Sequence, residues 1–426
     1  MIEQYLNSYL KTNSTDPLVK KYIDYFKVEL DWFIYNYGDH VSSSHCRKKK
    51  INLKYSLYIQ LQYINAAIGH VVQRKDYSNI LSSVFFAKTD LLLDLGFNPI
   101  STIFQPVGLR QILGDIPSIG FMKHKSEIIS KGVFNDLCNK NLFLHLEELK
   151  NLFIKKCYQY DFKALLLYTD QYFESKYLIE IFRILKKPSF IFSHGLPAIY
   201  SLEVDNRSDY LMVWGERMKQ NYINIGFDSN KIFVVGNARY IKIKKTQKLR
   251  NTLDNVLIIP CSSLLWHQNE WNTPTLIDRS MIILYLYEVQ HVLEGLGVKH
   301  ARYRPHPSIN SKWVNGFIDN NFYQIDKDIL NVSLRKSSLV IGATSTVFLE
   351  ALMLGVNYIV YEPSENGVTI MRDRLVPPFD GSEGVEIAHS ESDLKYLIKN
   401  NYQVNIDVLD GYMKPLDLSI LTSIIQ

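Results

Sequence analysis

Short, almost continuous apolar runs alternate with helical stretches along this chain of 426 residues, and this alternation constrains the fold more than any other feature. In the first half the runs are NILSSVFFA (79–87), ISTIFQP (100–106), FKALLLYTD (162–170), SFIFSHG (189–195), YLMVWGE (210–216) and KIFVVGN (231–237). Strands that are apolar on both faces are typical of parallel sheets that helices cover on both sides. The pattern therefore predicts a doubly wound α/β domain.

A second set of runs begins after the basic stretch 238–255, which lacks a long apolar face and is predicted to be an interdomain linker. The second set comprises NVLIIPCSS (255–263), KHARYRPHP (299–307), SSLVIGATST (337–346) and NYIVYEP (357–363). A helical pattern over 275–297 separates the first two runs, which indicates a second doubly wound unit. Two such domains in tandem bind ligands in the crevice that faces the carboxyl ends of their strands.

These patterns divide the chain into four predicted segments. They are a helical N-terminal region of the first domain (1–75), the first Rossmann-like domain (76–240), the second Rossmann-like domain (241–405) and a C-terminal helix that packs back on the first domain (406–426). In the N-terminal region an Asp-Pro helix start at Asp16 precedes apolar residues at helical spacing, and a second helical pattern covers 46–72.

Composition and charge exclude several classes of protein. The net charge of +5, with 21% charged residues, suits anionic ligands or a membrane surface but not a nucleic-acid-binding protein. The four cysteines are scattered without a Cys-x-x-Cys pair, so neither a zinc knuckle nor a disulfide framework is expected. No apolar signal core and no uncharged apolar run of about 18 residues occur, which predicts a cytoplasmic protein without a transmembrane helix.

Hydroxyl side chains follow two predicted strands of the second domain, where a ligand would lie. Ser262 and Ser263 end the first run, and the turn GATST (342–346) follows the third run and opens a helix. The N–H groups at a helix start and the hydroxyls of such a turn attract a phosphate. Serine and threonine also cap many helices that bind nothing, so this alternative stays open.

The segment RYRPHP follows the second run of this domain. Arg302 and Arg304 alternate along the strand end and should therefore share one face. Prolines on both sides restrict the backbone around His306, which holds its imidazole in a fixed direction. These groups are suited to an anion, with an Arg–carboxylate pair as the structural alternative. Beside the GATST turn they predict an anionic nucleotide site.

This combination of motifs resembles a known family. A His-Pro pair after one strand and a Ser/Thr-rich turn after a later one are similar to the second domain of bacterial transferases that use CMP-activated donors. The family includes sialyltransferases, Kdo transferases of capsule and lipopolysaccharide, and CDP-glycerol polyol-phosphate transferases. FSHGLPAIY (192–200) looks like the His-Gly loop of its capsule-type members, and 208–240, which ends in VVGNARY, resembles the stretch that follows. The resemblance covers about 165–365 and none of the first 160 residues.

The resemblance implies an α/β fold of the GT-B type, in which two Rossmann-like, doubly wound parallel-sheet domains face a central cleft. It also implies that His306, Thr344, Ser345 and Thr346 contact the CMP phosphate. Glu350, one helical turn later, would lie near the ribose hydroxyls, although a glutamate in a first helical turn is also a common partner of the helix dipole. The other predicted nucleotide-binding residues are Ser262, Ser263, Arg302 and Arg304.

The catalytic acid, base or nucleophile is expected to come from the first domain, across the cleft from the donor. Asp170 ends a strand and Glu174 follows one turn later, so either carboxylate would take a proton or attack the anomeric carbon. His194 stands at another strand end, where it would act as a base or contact a donor carboxylate. His267, in LLWHQNEW, is a further catalytic candidate. The structural alternatives are a helix cap, an exposed helix charge and a tryptophan-rich lid.

Several common enzyme classes lack their motifs in this sequence. Gly-x-Gly-x-x-Gly, Walker A, Gly-x-Ser-x-Gly and His-Glu-x-x-His patterns are absent, which excludes the usual dehydrogenases, NTPases, serine hydrolases and zincins. No Asp-x-Asp pair is expected to hold a nucleotide-sugar metal. A metal-independent transferase without a cofactor is therefore predicted, in which arginine, histidine and a helix start meet the charge of the leaving phosphate.

Taken with the resemblance, these features predict a glycosyltransferase that moves Kdo or a sialic-acid-like sugar from its CMP donor to a bacterial surface polysaccharide, that is O-antigen, capsule or lipooligosaccharide. The expected partners are the CMP-sugar and a glycan or lipid-linked glycan acceptor, with peripheral contact with the inner membrane and no nucleic acid. Two alternatives stay open. One is a CDP-polyol (glycerol or ribitol) phosphotransferase of the same architecture, and the other is a non-catalytic nucleotide-sugar-binding protein.

Overall fold

The structure of the chain is a computed structural model. It describes residues 15–26, 57, 61, 64, 76–84, 91–102, 112–113, 140–240, 248–260, 264–266, 274–276, 280–306, 314–365, 368–369 and 375–425. The helix predicted over 46–72 lies outside these residues except at positions 57, 61 and 64, which are helical.

The first domain is built on a seven-stranded sheet in the order β3-β2-β1-β4-β5-β6-β7. Its strands are β1 (Ser78–Ser82), β2 (Phe97–Thr102), β3 (Ile112–Leu113), β4 (Ala164–Leu167), β5 (Ser189–Phe192), β6 (Tyr210–Val213) and β7 (Ile232–Val234). Each pair of neighbouring strands runs parallel. The order of connection reverses between β1 and β4, as it does in a doubly wound sheet.

The second domain repeats this plan with six strands in the order β12-β11-β8-β13-β14-β17. They are β8 (Val256–Ile259), β11 (Ala301–Tyr303), β12 (Tyr323–Ile325), β13 (Leu339–Gly342), β14 (Tyr358–Tyr361) and β17 (Ile387–Ala388). All neighbours are again parallel, and the reversal lies between β8 and β13. Two small antiparallel pairs stand apart: β9 (Leu264–Trp266) with β10 (Pro274–Leu276), and β15 (Ser364–Glu365) with β16 (Val368–Thr369).

Helices cover the sheets because their apolar sides bury against the strands. They are α1 (Leu91–Asp94), α2 (Lys140–Gln159), α3 (Phe173–Ile184), α4 (Glu216–Asn224), α5 (Ser280–Glu294), α6 (Leu330–Lys336), α7 (Val347–Met353), α8 (Glu391–Lys399), α9 (Val408–Tyr412) and α10 (Ser419–Ile425), with a 3₁₀ turn at Ser229–Lys231. One apolar core runs from the first domain through α9 into the second. No helix in the described part of the chain is long and apolar enough to cross a membrane.

The predicted fold class is confirmed, since both domains are doubly wound parallel sheets and each of the ten predicted runs overlaps a strand. The short edge strands β3, β12 and β17 were not predicted, because two or three residues show no readable apolar pattern. The helix predicted over 275–297 is shorter in the structure and begins at Ser280, because the preceding β10 pairs with β9.

The helical residues 17–26 join the first domain through a partly buried ion cluster. Asp16 caps this helix, as predicted, by accepting a 3.0 Å hydrogen bond from the backbone N–H two residues later. Lys21 bridges Glu147 of α2 at 2.9 Å and Glu180 of α3 at 2.7 Å. Burial by itself would raise the pKa of Glu147, but hydrogen bonds from lysine and tyrosine side chains lower it to about 2. The cluster thus ties three helices together.

The end of the predicted linker belongs to the second domain. Residues 241–247 lie outside the described residues. Arg250 donates its backbone N–H to the carbonyl of Gly355 at 2.9 Å and its guanidinium N–H groups to the carbonyls of Arg335 and Leu354 at 2.5 and 3.2 Å. These bonds fix the chain to the ends of α6 and α7 several residues before β8 begins.

After the second sheet the chain returns to the first domain. Helix α9 packs between α4 and α7, and α10 lies on the outer face of the first sheet, where Leu421 is fully buried. On the way, the carbonyl of Lys414 accepts the N–H of Asn237 at 2.9 Å. Gly236 makes this approach possible, since a Cβ atom there would lie 2.0 Å from the carbonyl oxygen of Pro415.

Substitution of Gly236 tests how much the protein depends on this close approach. Both Gly236 and Gly297 have left-handed backbones, with φ of +75° and +85°, but a Cβ at Gly297 would meet open space. Gly236→Ala should therefore lower stability by about 1–3 kcal/mol more than Gly297→Ala, the usual cost of overpacking. Thermal unfolding followed by calorimetry measures the difference, and equal losses in the two variants would contradict this account of the return segment.

Candidate functional site

The GATST turn leaves the second sheet at β13, beside the reversal of strand order where ligands of open α/β sheets bind. The strand ends at Gly342. A Cβ atom at this position would lie only 2.1 Å from the hydroxyl oxygen of Tyr358, so there is no room for a side chain. That hydroxyl donates to the carbonyl of Ala343 at 2.6 Å. The glycine thus makes room for a packed tyrosine that supports the turn from beneath.

Glu362 holds the first hydroxyl of the turn from behind. It follows β14 and is fully buried, and its Oε1 atom accepts the backbone N–H of Thr344 at 2.7 Å and the Oγ1–H of Thr344 at 2.6 Å. A hydroxyl that donates its proton to a carboxylate has no second proton for a ligand. Thr344 therefore fixes the turn, and its proton is not available to an anion.

Ser345 and Thr346 form the open part of the turn. Within the described residues, the backbone N–H of neither residue donates to an acceptor. The Oγ atom of Ser345 accepts the N–H of Val347 at 3.2 Å, and the Oγ1 atom of Thr346 accepts the N–H of Leu196 at 2.8 Å. Because each hydroxyl oxygen already accepts a bond, its own proton remains for donation. The turn thus offers two N–H and two O–H donors to an anion.

The first domain reaches this turn through the loop that follows β5. Gly195 is required there, since a Cβ atom at this position would lie 2.5 Å from the Oγ1 atom of Thr346. Between the two domains lies a small cleft of about 50 Å³ that opens to solvent. Its lining residues are Leu196, Pro197, Ala198, Thr344, Ser345, Leu375, Val376 and Phe379. The cleft therefore has apolar walls from both domains and a polar turn on one side.

His194 stands at the start of the same loop with an exposed ring. Its Nδ1 atom lies 3.3 Å from the carbonyl oxygen of Tyr168, which can only accept, so Nδ1 carries the proton. Desolvation by the surrounding protein lowers the pKa of His194, although this hydrogen bond opposes the effect. The ring is therefore neutral near pH 7, with the lone pair of Nε2 available to take a proton.

His306 follows β11 and is also exposed, with Pro305 before it. Partial burial of the ring lowers the pKa of His306, so the imidazole is neutral near pH 7. Strand β8 separates β11 from β13, so the end of β11 stands roughly 10 Å from the GATST turn, two strand spacings away. Both groups lie at the carboxyl edge of the sheet, within the span of one nucleotide.

Arg302 and Arg304 share one face, as the alternation predicted, but that face carries a structural ion cluster. The Nη1 atom of Arg302 donates to Asp326 at 2.8 Å and its Nε atom donates to Asn255 at 2.7 Å. The Nη1 atom of Arg304 donates to the other oxygen of Asp326 at 3.2 Å and to the carbonyl of Asp328 at 2.6 Å. The structure favours the Arg–carboxylate alternative, because the two guanidinium groups tie β11 to the segment between β12 and α6.

The same cluster contains the one Asp-x-Asp pair of the sequence, Asp326 and Asp328. The arginines occupy both oxygens of Asp326, and the carboxylate of Asp328 accepts the Nζ–H of Lys336 at 2.6 Å. This lysine lowers the pKa of Asp328. In the described part of the chain no group of three or more histidine, cysteine, aspartate or glutamate side chains could hold a metal ion.

Asp170 is fully buried and organises a loop instead of facing the cleft. Its two oxygens accept the backbone N–H groups of Asp205 and Arg207 at 3.1 and 2.9 Å, and the side chain of Gln171 donates to it at 2.5 Å. The cap of α3 is Tyr172, so the helix-cap alternative for Asp170 does not hold either. In this position the carboxylate has no route to a substrate.

Asp205 shares this site and lies close to the carboxylate of Asp170. Burial is the main reason that the pKa of Asp205 rises to about 7, and repulsion from Asp170 adds to the effect. The hydroxyl of Tyr222 donates to Asp205 at 2.8 Å, which opposes the rise without cancelling it. Asp170 and Asp205 thus support the loop between β5 and β6, and this support depends on pH.

Two further predicted residues lie in first helical turns. Glu174 is half-buried in the first turn of α3. Glu350, in the first turn of α7, accepts the Nη1–H of Arg239 at 3.0 Å; its side chain is 16% exposed and that of Arg239 is 73% exposed. Arg239 belongs to the first domain, so this ion pair joins the two domains. One oxygen of Glu350 is thereby committed, and the other remains for a ligand such as a ribose.

Three of the predicted residues, Ser262, Ser263 and His267, lie outside the described residues.

Two contributors to the site were not predicted. Glu362 ends the apolar run NYIVYE. Because ligands bind at the carboxyl ends of the strands, its position at a strand end could have marked it as a candidate. The N–H of Leu196 has no sequence signal, because every backbone donor looks alike until the chain has folded.

No protein-family model matches the chain, and no curated protein matches it either. Among solved structures it is similar to the UDP-GlcNAc 2-epimerase of Methanocaldococcus jannaschii in complex with UDP-GlcNAc and UDP (15% identity, 82% of this chain, 99% of that one, TM-score 0.48). The UDP-GlcNAc 2-epimerase of Neisseria meningitidis bound to UDP-GlcNAc gives 12% identity, coverage of 82% and 98% and a TM-score of 0.44. A glycosyltransferase of Rickettsia africae is 15% identical, with 82% of this chain and 99% of that one covered and a TM-score of 0.41. At these values the similarity assigns neither activity nor substrate.

The buried acid pair predicts a pH dependence of stability. The folded-state pKa of Asp205, about 7, lies above the ordinary aspartate value of 3.8, so the folded protein holds one more proton than the unfolded chain between these values. The stability that this group contributes is fully present below about pH 4 and is lost as the pH rises through 7. Asp205→Asn removes the titration, so the variant should gain stability relative to wild type as the pH is raised from 5 to 8.

Thermal unfolding at both pH values measures the effect. Asp254→Asn serves as the control, because Asp254 is exposed and should show no such pH-dependent difference. A stability difference between Asp205→Asn and wild type that stays constant from pH 5 to pH 8 would contradict the protonated state of Asp205.

Proposed function

We propose that this protein is a GT-B glycosyltransferase that moves an acidic sugar, Kdo or a sialic-acid-like sugar, from its CMP donor to a bacterial surface polysaccharide. One observation carries the proposal. A turn with four hydrogen-bond donors for an anion lies at the reversal point of the second sheet, and the His-Gly loop of the first domain meets it across a cleft. Ligand binding at such a reversal is the rule for open α/β sheets.

In this proposal the CMP phosphate binds the N–H groups and hydroxyls of Ser345 and Thr346. His306 donates an N–H to the same nucleotide from the end of β11, two strands away from β13. Glu362 contributes indirectly, since it fixes Thr344 and with it the backbone of the turn. These donors are already in place before the leaving phosphate gains charge, which is how a site stabilises a developing anion. The transfer then needs no metal, and this too is part of the proposal.

His194 is the base in this proposal. It is exposed beside the cleft, its Nε2 lone pair is available, and its lowered pKa keeps it neutral near pH 7. A neutral imidazole of this kind takes the proton of an acceptor hydroxyl as that oxygen attacks the anomeric carbon. Asp170 is left without a catalytic role because it is buried under the loop that it supports. Glu174 is kept as a second candidate for the catalytic base or nucleophile.

The nucleotide site is tested by the affinity for CMP. His306→Ala should weaken CMP binding by about 1.5–3 kcal/mol, the range for a hydrogen bond to a charged group. Isothermal titration calorimetry at pH 7 measures the loss. His300→Ala is the matched control, because this exposed histidine precedes the same strand at the opposite edge of the sheet. Equal CMP affinity of wild type and a folded His306→Ala variant would sink the nucleotide assignment.

The donor is tested by turnover read as released nucleotide. Wild-type protein should release CMP from CMP-Kdo or a CMP-sialic acid in the presence of an acceptor glycan, and EDTA should leave the rate unchanged. His194→Ala should lower turnover by about 10²–10⁴-fold, the usual contribution of a general base, with CMP affinity intact. Turnover of CDP-glycerol or CDP-ribitol alone would identify a polyol phosphotransferase. CMP binding without any turnover would identify a binding protein.

A further inference from the structure

Arg239 sits on a turn of the first domain that is rigid although its side chain is exposed. The turn follows β7, and the side chain of Asn237 accepts the backbone N–H of Arg239 at 2.8 Å. The N–H of Asn237 is held in turn by the carbonyl of Lys414, and Gly236 packs directly against the return segment. The backbone of Arg239 is therefore fixed from two sides, and only its long side chain extends toward the second domain.

The guanidinium group of Arg239 is oriented by the second domain. Its Nη1 atom donates to Glu350 at 3.0 Å, and this glutamate is 16% exposed, so the acceptor is well fixed. No other hydrogen bond of the Arg239 side chain occurs within the described residues, and the side chain is 73% exposed. A guanidinium carries five N–H donors in a planar fork. Within the described residues its remaining donors have no acceptor, and this oriented cation lies at the boundary between the two domains.

This cation lies close to the anion-binding turn. Glu350 follows Thr346 by four residues, so their Cβ atoms stand about 5–6 Å apart on one face of the helix start. The guanidinium is thus separated from the turn by little more than one side chain. In a CMP-linked acidic sugar the anomeric carbon carries both a carboxylate and the oxygen that bears the phosphate. Such a donor therefore presents two anions whose separation is similar to that between the turn and the guanidinium. The turn takes one anion, and Arg239 is placed for the other.

We propose that Arg239 binds the sugar carboxylate of the donor and thereby selects acidic sugars, an inference that rests on the proposed function. Arginine suits this task because its planar fork pairs with a carboxylate through two parallel hydrogen bonds. Glu350 keeps the guanidinium in place when the cleft is empty and leaves its other edges for the substrate. A neutral sugar or a polyol has no group that would use this cation.

The test compares two ligands in each variant. Calorimetric affinities are measured for CMP alone and for a CMP-linked acidic sugar, with CMP-N-acetylneuraminic acid and CMP-Kdo as the probes. Arg239→Gln should weaken the binding of the acidic donor on the order of 10- to 100-fold, the equivalent of losing charge-assisted hydrogen bonds, and should leave CMP affinity within about twofold. Arg239→Lys should recover part of the loss, because lysine supplies the charge without the fork.

Arg217→Gln is the matched control. Arg217 is another exposed arginine of the first domain, 60% exposed, and it also faces an acid of the second domain, Glu383, at 3.5 Å. It stands on α4, beside α9, and should affect neither ligand. Equal losses for CMP and the acidic donor in Arg239→Gln, or no loss for either, would overturn the inference and leave the proposed function standing. Failure of wild type to bind any CMP-linked acidic sugar would overturn both.

Discussion

The position of one domain against the other depends on backbone contacts that only glycine permits. A Cβ atom at Gly236 would lie 2.0 Å from the carbonyl oxygen of Pro415, and one at Gly215 would lie 2.1 Å from that of Gly411. Through these contacts the return segment locks the first domain to the chain that has just left the second. The cleft, the bond between Leu196 and Thr346, and the ion pair between Arg239 and Glu350 all require this one arrangement.

Polar residues at strand ends divide into two groups that the sequence does not separate. Thr346 and His306 lie at the carboxyl edge of the second sheet and are open to the cleft or to solvent. Arg302 and Arg304 lie close to His306 in sequence, yet both pair with Asp326 and hold β11 to its neighbour. The two groups differ in the direction in which the side chain points, and that direction depends on where a partner of opposite charge is buried. Asp326 is 24 residues away from Arg302, so local sequence does not reveal the pairing.

Buried acids support the site from outside the cleft. Glu362 fixes the turn of the second domain, and Asp170 with Asp205 fixes a loop of the first domain that begins near His194. The carboxylates of Glu362 and Asp170 accept backbone N–H groups, and that of Asp205 accepts the hydroxyl of Tyr222, all of which would otherwise be costly to bury. The groups that face solvent are the imidazoles of His194 and His306, and the GATST turn keeps N–H donors that have no acceptor within the described residues. The buried carboxylates of Glu362, Asp170 and Asp205 thus hold the backbone segments that carry the donors of the site.

The sequence by itself determined the architecture, because apolar runs of strand length between helical patterns leave a doubly wound parallel sheet as the arrangement that buries them. It also located the GATST turn, His194 and His306, since these residues directly follow the apolar runs. Tertiary structure decided which carboxylates are buried, where the arginines point, and that Arg239 reaches Glu350, 111 residues later in the chain. These outcomes depend on long-range contacts and on the exposure of each group, and neither is set by neighbouring residues. The fold therefore followed from local apolar periodicity, whereas the chemistry of each polar residue followed from the partner that folding brought to it.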